Sequence, residues 1–287
     1  MAETEFTIQN EVLTVSASAF GAELTRIMDA QGTDRLWSGD PAFWSGRAPV
    51  LFPVVGGLHE DAFTLAGKRY SLGKHGFAKL STFALTEHSQ QKMVFQLTDN
   101  AQTREAYPFA FALLVRFELS GNTLSVVYEV ENRDTRVMPF QIGAHEAYAC
   151  PGGISGYEIE FDEPETLSRY ELTGNFLNGQ TTPWLAQRKV MALADADYQR
   201  DAIVLLNAKS DAVTLRSKQD KRWVRVAFPD FETLMFWTKP GAPYICVEPW
   251  CGAPDFEDGG LPLMQRFRIQ ALAPGETFVR THTITIG

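Results

Sequence analysis

The sequence predicts an all-β fold made of many short antiparallel strands. Segments that alternate apolar and polar residues recur about every 8 to 12 residues, with Gly, Asn or Asp between them. Helical periodicity is hard to find along the chain. The 287 residues, 45% of them hydrophobic, contain no internal repeat, low-complexity tract or linker. We therefore expect one domain over residues 1–287.

The first half of the chain is predicted to form a series of hairpins. Gly67 supplies the turn of one hairpin, and Ser120-Gly121-Asn122 separates the two clearest alternating segments. Residues 39–53 carry three prolines and three bulky aromatic residues, which is typical of a packed irregular segment. Residues 103–108 are polar enough for a surface connection. The predicted strands are residues 6–8, 12–15, 23–28, 62–65, 69–72, 83–85, 93–97, 111–119 and 123–130.

The second half continues the same pattern. Residues 175–187 are rich in turn formers and predict a loop. A strand that starts at Tyr244 is expected to end at Glu248, immediately before Pro249. The predicted strands are residues 138–142, 155–172, 202–206, 212–215, 222–228, 233–237, 244–248, 265–271 and 277–286.

Composition excludes several classes of partner. A formal charge of -9 would repel nucleic acids and anionic membrane surfaces, whereas a neutral small molecule is unaffected by it. The acidic start of the sequence lacks the charged and apolar regions of a signal peptide, and no run is long enough to span a membrane, so we expect a cytoplasmic protein. Three cysteines without a Cys-x-x-Cys pair predict free thiols.

Familiar catalytic motifs are missing from the sequence. The five histidines are widely separated and lack the spacing of zinc ligands, so we expect no metal site, although a composite site is not forbidden. Phosphate-binding loops, the dinucleotide fingerprint and the G-x-S-x-G elbow are also absent from the sequence. Acid–base chemistry is the class that remains.

Glu248 is the first candidate for such chemistry. It follows a β-prone apolar run and precedes Pro249 and Trp250, and at least one face of that strand is expected to be buried. A desolvated carboxylate has a raised proton affinity, which suits a general base. The alternative is a structural carboxylate buried against a backbone amide or an arginine.

Two histidines are candidate partners. His75 and His145 both lie where a predicted strand passes into a loop, and binding residues concentrate at such positions. Imidazole exchanges protons near neutral pH. Each histidine could instead be a structural hydrogen-bonding residue.

Four further residues have both a functional and a structural interpretation. Trp237 and Trp250 are core residues by default, but either indole could provide a flat apolar platform for a sugar ring. Arg47 is by default a surface cation or the partner of an acid. Asp201 is by default a turn or strand-edge residue.

Several segments together resemble the aldose 1-epimerase (galactose mutarotase) family, most closely its LacX-like branch. They occur in the family's order and the similarity extends from about Ile8 to Ile286. It implies a galactose-mutarotase-like β-sandwich, a large twisted supersandwich of antiparallel strands with the sugar in a cleft on one sheet. The similar segments are residues 47–56, 75–78, 140–145, 201–203 and 237–255.

The resemblance also implies a mechanism. Glu248 matches the family's base and would take the proton from the anomeric hydroxyl, while His145 matches the acid and would protonate the ring oxygen. After ring opening, rotation next to the aldehyde carbon exposes its other face, and closure gives the opposite anomer. His75 matches a second histidine that hydrogen-bonds near the ring oxygen.

The same resemblance implies a set of substrate-binding residues and no cofactor. Arg47 and Asp201 match positions that hold sugar hydroxyls, and Gln141 and Trp237 complete the expected set. The expected partner is a small sugar, and we expect a monomer or a homodimer.

The sequence departs from the family at two positions. Glu146 replaces the proline that usually follows the acid histidine, and this carboxylate could raise the histidine pKa or contact substrate. Lys79 stands where arginine is more usual.

Two other functions stay open. One is a non-catalytic sugar-binding or regulatory module. The other is a mutarotase of phosphorylated hexoses, which would need clustered cations where the sequence indicates only Arg47.

Overall fold

A computed structural model describes residues 4–287 and has an all-β sandwich architecture. Its strands are β1 (Glu5–Gln9), β2 (Leu13–Ser18), β3 (Leu24–Asp29), β4 (Ala62–Leu65), β5 (Lys68–Ser71), β6 (Ala84–His88), β7 (Lys92–Thr98), β8 (Phe111–Ser120), β9 (Thr123–Asn132), β10 (Met138–Phe140) and β11 (Ile142–Gly143). They continue with β12 (Glu146–Ala149), β13 (Tyr157–Thr173), β14 (Phe176–Ala192), β15 (Ile203–Leu205), β16 (Ala212–Ser217), β17 (Trp223–Ala227), β18 (Thr233–Trp237), β19 (Tyr244–Cys251), β20 (Gln270–Leu272) and β21 (Thr277–Ile286).

Helix contributes little to residues 4–287. One short α-helix, α1 (Ala101–Ala106), overlaps residues 103–108, which were expected to form a surface connection. Asn100 caps it: its side chain accepts a hydrogen bond from the Thr103 backbone, and the Thr103 hydroxyl accepts one from the Asn100 backbone. In the described part of the chain, no helix is long and apolar enough to cross a membrane.

Most strands belong to one antiparallel sheet. Its hydrogen-bonded order is β11-β19-β18-β15-β13-β16-β17-β21-β9-β8-β7-β6, with β12 paired to β19 and β14 to β13. A separate sheet, β1-β2-β3, packs with this large sheet around the main hydrophobic core, to which Val15, Ile27, Phe95 and Phe117 all contribute. The all-β fold class predicted from the sequence is confirmed.

The predicted loop at residues 175–187 is wrong. This segment belongs to β14, the outer arm of a hairpin with β13 that turns at Gly174. Among the strands of residues 4–287, β14 pairs with β13 alone, and most of its side chains are exposed, so neither face has the apolar pattern that reveals a strand. As an edge strand it also tolerates Pro183 and Gly179.

The predicted end of the strand at Glu248 is also wrong, because β19 continues to Cys251. On one side β19 pairs first with β12 and then with β11, and Pro249 lies at the gap between these two partners. The Pro249 carbonyl accepts a hydrogen bond from the Ala144 backbone in that gap. Pro249 has no backbone N–H to donate, but at this gap no regular hydrogen bond between β19 and a neighbouring strand is lost.

Candidate active site

A cavity of about 300 Å³ lies over the face of β18 and β19. Pockets for small ligands start at about this size. Loops from several parts of the chain form its walls: the segment before β4, the segment after β5, the β13–β14 turn and the turn before β15. Glu248, His145, His75, Asp201 and Trp237, five of the seven site residues predicted from the sequence, line this cavity.

Strand register positions the floor of the cavity. Met235 on β18 stands opposite Glu248 on β19, and Trp237 stands opposite Cys246. Because side chains alternate along a strand, Cys246, Glu248 and Trp250 share one face, while Ile245 and Val247 pack into the core on the other. The sheet thus fixes the carboxylate on a rigid element.

His145 reaches Glu248 from the link between β11 and β12. Its Nε2 lies 3.3 Å from Oε2 of Glu248, and the two residues are 8% and 1% exposed. Trp44 and Trp237 cover the imidazole, with ring centroids 5.1 and 5.8 Å away. The candidate acid and the candidate base are therefore close enough to exchange one proton, in a site from which most water is excluded.

Burial drives both members of this pair towards the neutral form. Desolvation raises the pKa of Glu248 well above its ordinary value, and Asp201 and Glu146 add to the rise while Lys74 opposes it. Desolvation also lowers the pKa of His145 to about 3, helped by Lys74 and Lys79. The resting contact is therefore a carboxylic acid beside a neutral imidazole that share one proton, not an ion pair.

His75 is held at the cavity by its backbone and its ring. Its Nδ1 accepts a hydrogen bond of 3.1 Å from the Gly56 backbone, which leaves the proton on Nε2. The residue has a positive φ of 66°, a conformation that costs energy outside glycine and is found at functional sites. The next residue must be glycine, because a Cβ at Gly76 would lie 2.2 Å from the Phe52 carbonyl oxygen. Burial lowers the pKa of His75 well below its ordinary value, and His145 contributes.

Asp201 and Trp237 lie at the cavity wall with residues that the sequence did not single out. Asp201 has a φ of 80° and its carboxylate accepts a hydrogen bond from the Ala202 backbone. Trp44 packs edge-on against Trp237 at 5.3 Å. Asn175, at the turn between β13 and β14, completes one side of the wall. Residues 39–53 were predicted to form a packed irregular segment, and this sequence feature could have pointed to Trp44 as a site residue.

Two lysines also line the cavity. Lys74 and Lys79 lie on either side of His75 in the segment after β5. Burial lowers the pKa of Lys79, and the positive charge of Lys74 lowers it further. The expectation of a single cation near the cleft is therefore wrong, because the loop brings both lysines to the site.

Arg47 and Gln141 lie outside the cavity. The Arg47 guanidinium donates to the backbone carbonyls of Ser38 and Thr25, so it ties a loop to β3. Gln141 is fully buried, and its amide donates to the carbonyls of Ala253 and Phe267. Both side chains hold the segments that surround the site, and neither lines the cavity.

Glu146 does not face the cavity, although it follows His145 directly. Its Oε1 lies 3.1 Å from Nε2 of His282 on β21, and the two side chains are buried inside the sandwich. The substrate contact considered from the sequence is thus excluded by strand alternation. From behind the cavity floor, Glu146 adds to the burial that raises the pKa of Glu248 and the pKa of Cys246.

A cluster of possible metal ligands lies at and directly beneath the cavity floor, because Cys246 is fully buried beside His145 and Glu248. The ligand atoms of His145, Cys246 and Glu248 all lie within 4.8 Å of one another. The histidine and the glutamate are 103 positions apart in the chain, which is why spacing predicted no such cluster. The expectation of no metal site had left a composite cluster open, and the fold brings one set of possible ligands together.

Comparison with known proteins gives one consistent family. A family model described as aldose 1-epimerase matches residues 4–279. The LacX protein encoded on the chromosome of Lactococcus lactis subsp. lactis is 33% identical over 97% of this chain and 98% of its own length. A galactose mutarotase related enzyme from Lactobacillus acidophilus superposes with a TM-score of 0.95 at 31% identity, covering 99% of this chain and 97% of its own. A galactose mutarotase-like protein from Lactobacillus casei gives a TM-score of 0.93 at 28% identity, over 99% and 100%.

Proposed function

The chain belongs to the aldose 1-epimerase family, and on this basis we propose that it interconverts the α and β anomers of an aldohexose by opening and closing the sugar ring. The observation that carries the proposal is the 3.3 Å approach of His145 Nε2 to Glu248 Oε2 inside a cavity of monosaccharide scale. Binding alone needs no matched acid and base, whereas ring opening needs both.

The shared proton suits the chemistry. In one form of the pair Glu248 is ionised and His145 carries the proton. A carboxylate with a raised pKa is then a strong base for the anomeric hydroxyl, and an imidazolium with a lowered pKa is a strong acid for the ring oxygen. As the bond from the anomeric carbon to the ring oxygen breaks, Glu248 gains a proton and His145 loses one. The open-chain aldehyde is then bound beside the neutral pair that burial favours.

Ring closure reverses these transfers. After rotation about the bond next to the aldehyde carbon, Glu248 returns its proton to the carbonyl oxygen and His145 takes the proton of the ring hydroxyl. Protons and charges balance over the cycle, and no cofactor takes part. The His75 Nε2–H is the free donor of its ring, and we assign it the ring oxygen as its partner. Asp201 and Trp237 would bind a hydroxyl and an apolar sugar face.

Glu248→Gln tests the base directly. We expect the exchange rate of freshly dissolved α-D-glucose or α-D-galactose, measured by polarimetry or NMR, to fall by about 100-fold or more. His145→Asn should lose most activity as well. Glu118→Gln, an exposed residue on β8, is the matched control and should leave the rate unchanged. A Glu248→Gln rate equal to that of the wild type would contradict the base assignment.

A wild type that binds aldoses but accelerates none of them would favour the sugar-binding module. The same NMR experiment decides this, because chemical-shift changes report binding and exchange peaks report turnover. The panel should include sugar phosphates, so that a narrow substrate preference is not read as a lack of activity.

A second candidate, a mutarotase of phosphorylated hexoses, is favoured by one observation. Lys74 and Lys79 line the cavity, and clustered ammonium groups are suited to an anionic sugar substituent. If this is the substrate class, Lys74→Met and Lys79→Met should raise KM for a hexose 6-phosphate by about tenfold or more with little effect on KM for the free hexose. Lys221→Met, at an exposed site, is the control. Equal losses for both sugars would contradict the assignment.

A further inference from the structure

The proposed catalytic pair has a third close neighbour that its mechanism does not use. Cys246 lies two residues before Glu248 on β19 and shares its face, opposite Trp237 in the register. Its thiol is fully buried, and burial raises the thiol pKa well above its ordinary value. A neutral thiol, a carboxylic acid and a neutral imidazole therefore converge at one point.

The geometry suits a tetrahedral ion. Zinc bonds of about 2.0–2.3 Å to nitrogen, oxygen and sulfur place neighbouring ligand atoms about 3.3–3.6 Å apart. His145 Nε2 and Glu248 Oε2 already stand 3.3 Å apart, and all three ligand atoms lie within 4.8 Å of one another. Side-chain rotations that move the ligand atoms by about 1 Å would bring all three to bonding distance of the ion. The cavity supplies the open fourth position.

Charge also favours an ion of charge +2. When such an ion binds, Cys246 and Glu248 lose their protons and His145 stays neutral, so the complex of ion, thiolate, carboxylate and imidazole has no net charge. A buried site disfavours isolated charges, and a neutral complex avoids that cost. The mixture of sulfur, nitrogen and oxygen ligands selects a borderline-soft ion over Mg²⁺ or Ca²⁺.

We propose that His145, Cys246 and Glu248 form a binding site for Zn²⁺, and that the ion inhibits the enzyme by occupying the proton-transfer groups. The binding part stands on the geometry of the three ligands, and the inhibition part rests on the proposed function. Zn²⁺ and sugar compete because the ion uses the lone pairs that exchange protons with the substrate.

Direct binding is tested without any activity measurement. Isothermal titration with Zn²⁺ in buffers of different ionisation enthalpy should show one ion per chain and the release of at least one proton. Co²⁺ should give a thiolate-to-cobalt charge-transfer absorption band. Cys246→Ala should abolish that band and weaken Zn²⁺ binding by more than about tenfold. Cys251→Ala removes another buried thiol of β19 and should change neither. A Cys246→Ala variant that binds as tightly as the wild type, or a wild type without the Co²⁺ band, would overturn the site.

The inhibition part has its own readout. Added Zn²⁺ should raise the apparent KM for the sugar with kcat unchanged, and a chelator should restore the rate. Cys246→Ser should need more than about tenfold more Zn²⁺ for the same inhibition, relative to its own uninhibited rate. Zn²⁺ that binds without slowing exchange would overturn the inhibition. A protein that shows the Co²⁺ band but no mutarotation would instead contradict the proposed function and leave the metal site standing.

Discussion

Glu248 illustrates how one desolvated side chain can serve catalysis at a cost to stability. Its position on β19 leaves it 1% exposed, and its pKa is raised mainly by that burial. In the unfolded chain the same group titrates near 4.5. The folded state therefore keeps a proton that the unfolded state has lost, and stability falls as the pH rises above 4.5.

This linkage predicts the stability of Glu248→Gln. Glutamine mimics the neutral acid and cannot ionise, so the variant lacks the pH-dependent penalty. The free energy of unfolding of the variant minus that of the wild type should be constant below pH 4. It should become more positive above pH 4.5, with a slope of up to about 1.4 kcal/mol per pH unit. Thermal unfolding followed by circular dichroism from pH 3.5 to 8 measures it. Glu118→Gln should show no such trend, and a flat difference for Glu248→Gln would mean that the carboxyl is ionised in the fold.

Among the elements, the loop that carries Trp44 controls how dry the site is. The indole lies 5.1 Å from the His145 ring and contacts Trp237 and Tyr244, so it shields the imidazole from water. The lowered pKa of His145 depends chiefly on that shielding.

Trp44→Ala should therefore change the pH dependence of turnover. In the wild type, the pair binds a second proton only near the His145 pKa of about 3. As the pH is lowered, kcat/KM should therefore stay constant until well below pH 6.5. Hydration in the variant raises that pKa, and the acid limb should move towards 6.5 while the maximal rate falls by about tenfold or more. Rates are compared after subtraction of uncatalysed exchange. Val12→Ala, at an exposed site, is the control, and an unshifted acid limb in Trp44→Ala would contradict the shielding role.

Strands whose own hydrophobic pattern determines their bounds could be predicted from the sequence. Residues 233–237 were predicted as a strand and β18 has the same bounds. The outer arm β14 was missed because its faces are mostly exposed, and the end of β19 was misplaced because the effect of Pro249 depends on which partners flank it. Local pattern carries no information about tertiary partners of this kind.

The candidate site shows the same difference between what the sequence pattern determines and what tertiary contacts determine. The resemblance to a family identified Glu248, His145 and His75 as residues that share one site, and the fold brings them to one cavity. It also suggested Arg47 and Gln141, whose polar groups are used by neighbouring backbone instead. Lys79 was noted only as a replacement of the usual arginine, and Lys74 and Cys246 had no predicted role, because the approach of these side chains to the site depends on the fold.

At the scale of the whole molecule, the pair formed by Glu146 and His282 links β12 to β21, which are not neighbours in the sheet. Both side chains are within 2% of complete burial, and among residues 4–287 the second oxygen of Glu146 and Nδ1 of His282 have no hydrogen-bond partner. This places a polar contact directly behind the strand that follows His145. A buried pair of this kind is costly to break from one side, because the group left behind has no other partner.

A double-mutant cycle on this pair tests how the two parts of the sandwich are coupled. Glu146→Leu and His282→Leu should each lower the free energy of unfolding by about 3–5 kcal/mol, since each leaves one buried polar group alone. The double variant replaces both by apolar side chains, so it should lose less than the sum of the single losses, with a coupling of at least about 1 kcal/mol. Urea unfolding at pH 7 measures all four proteins, and Glu118→Leu on exposed β8 should stay within about 0.5 kcal/mol of the wild type. Additive losses would mean that the two side chains act independently and that β12 is positioned by its pairing with β19 alone.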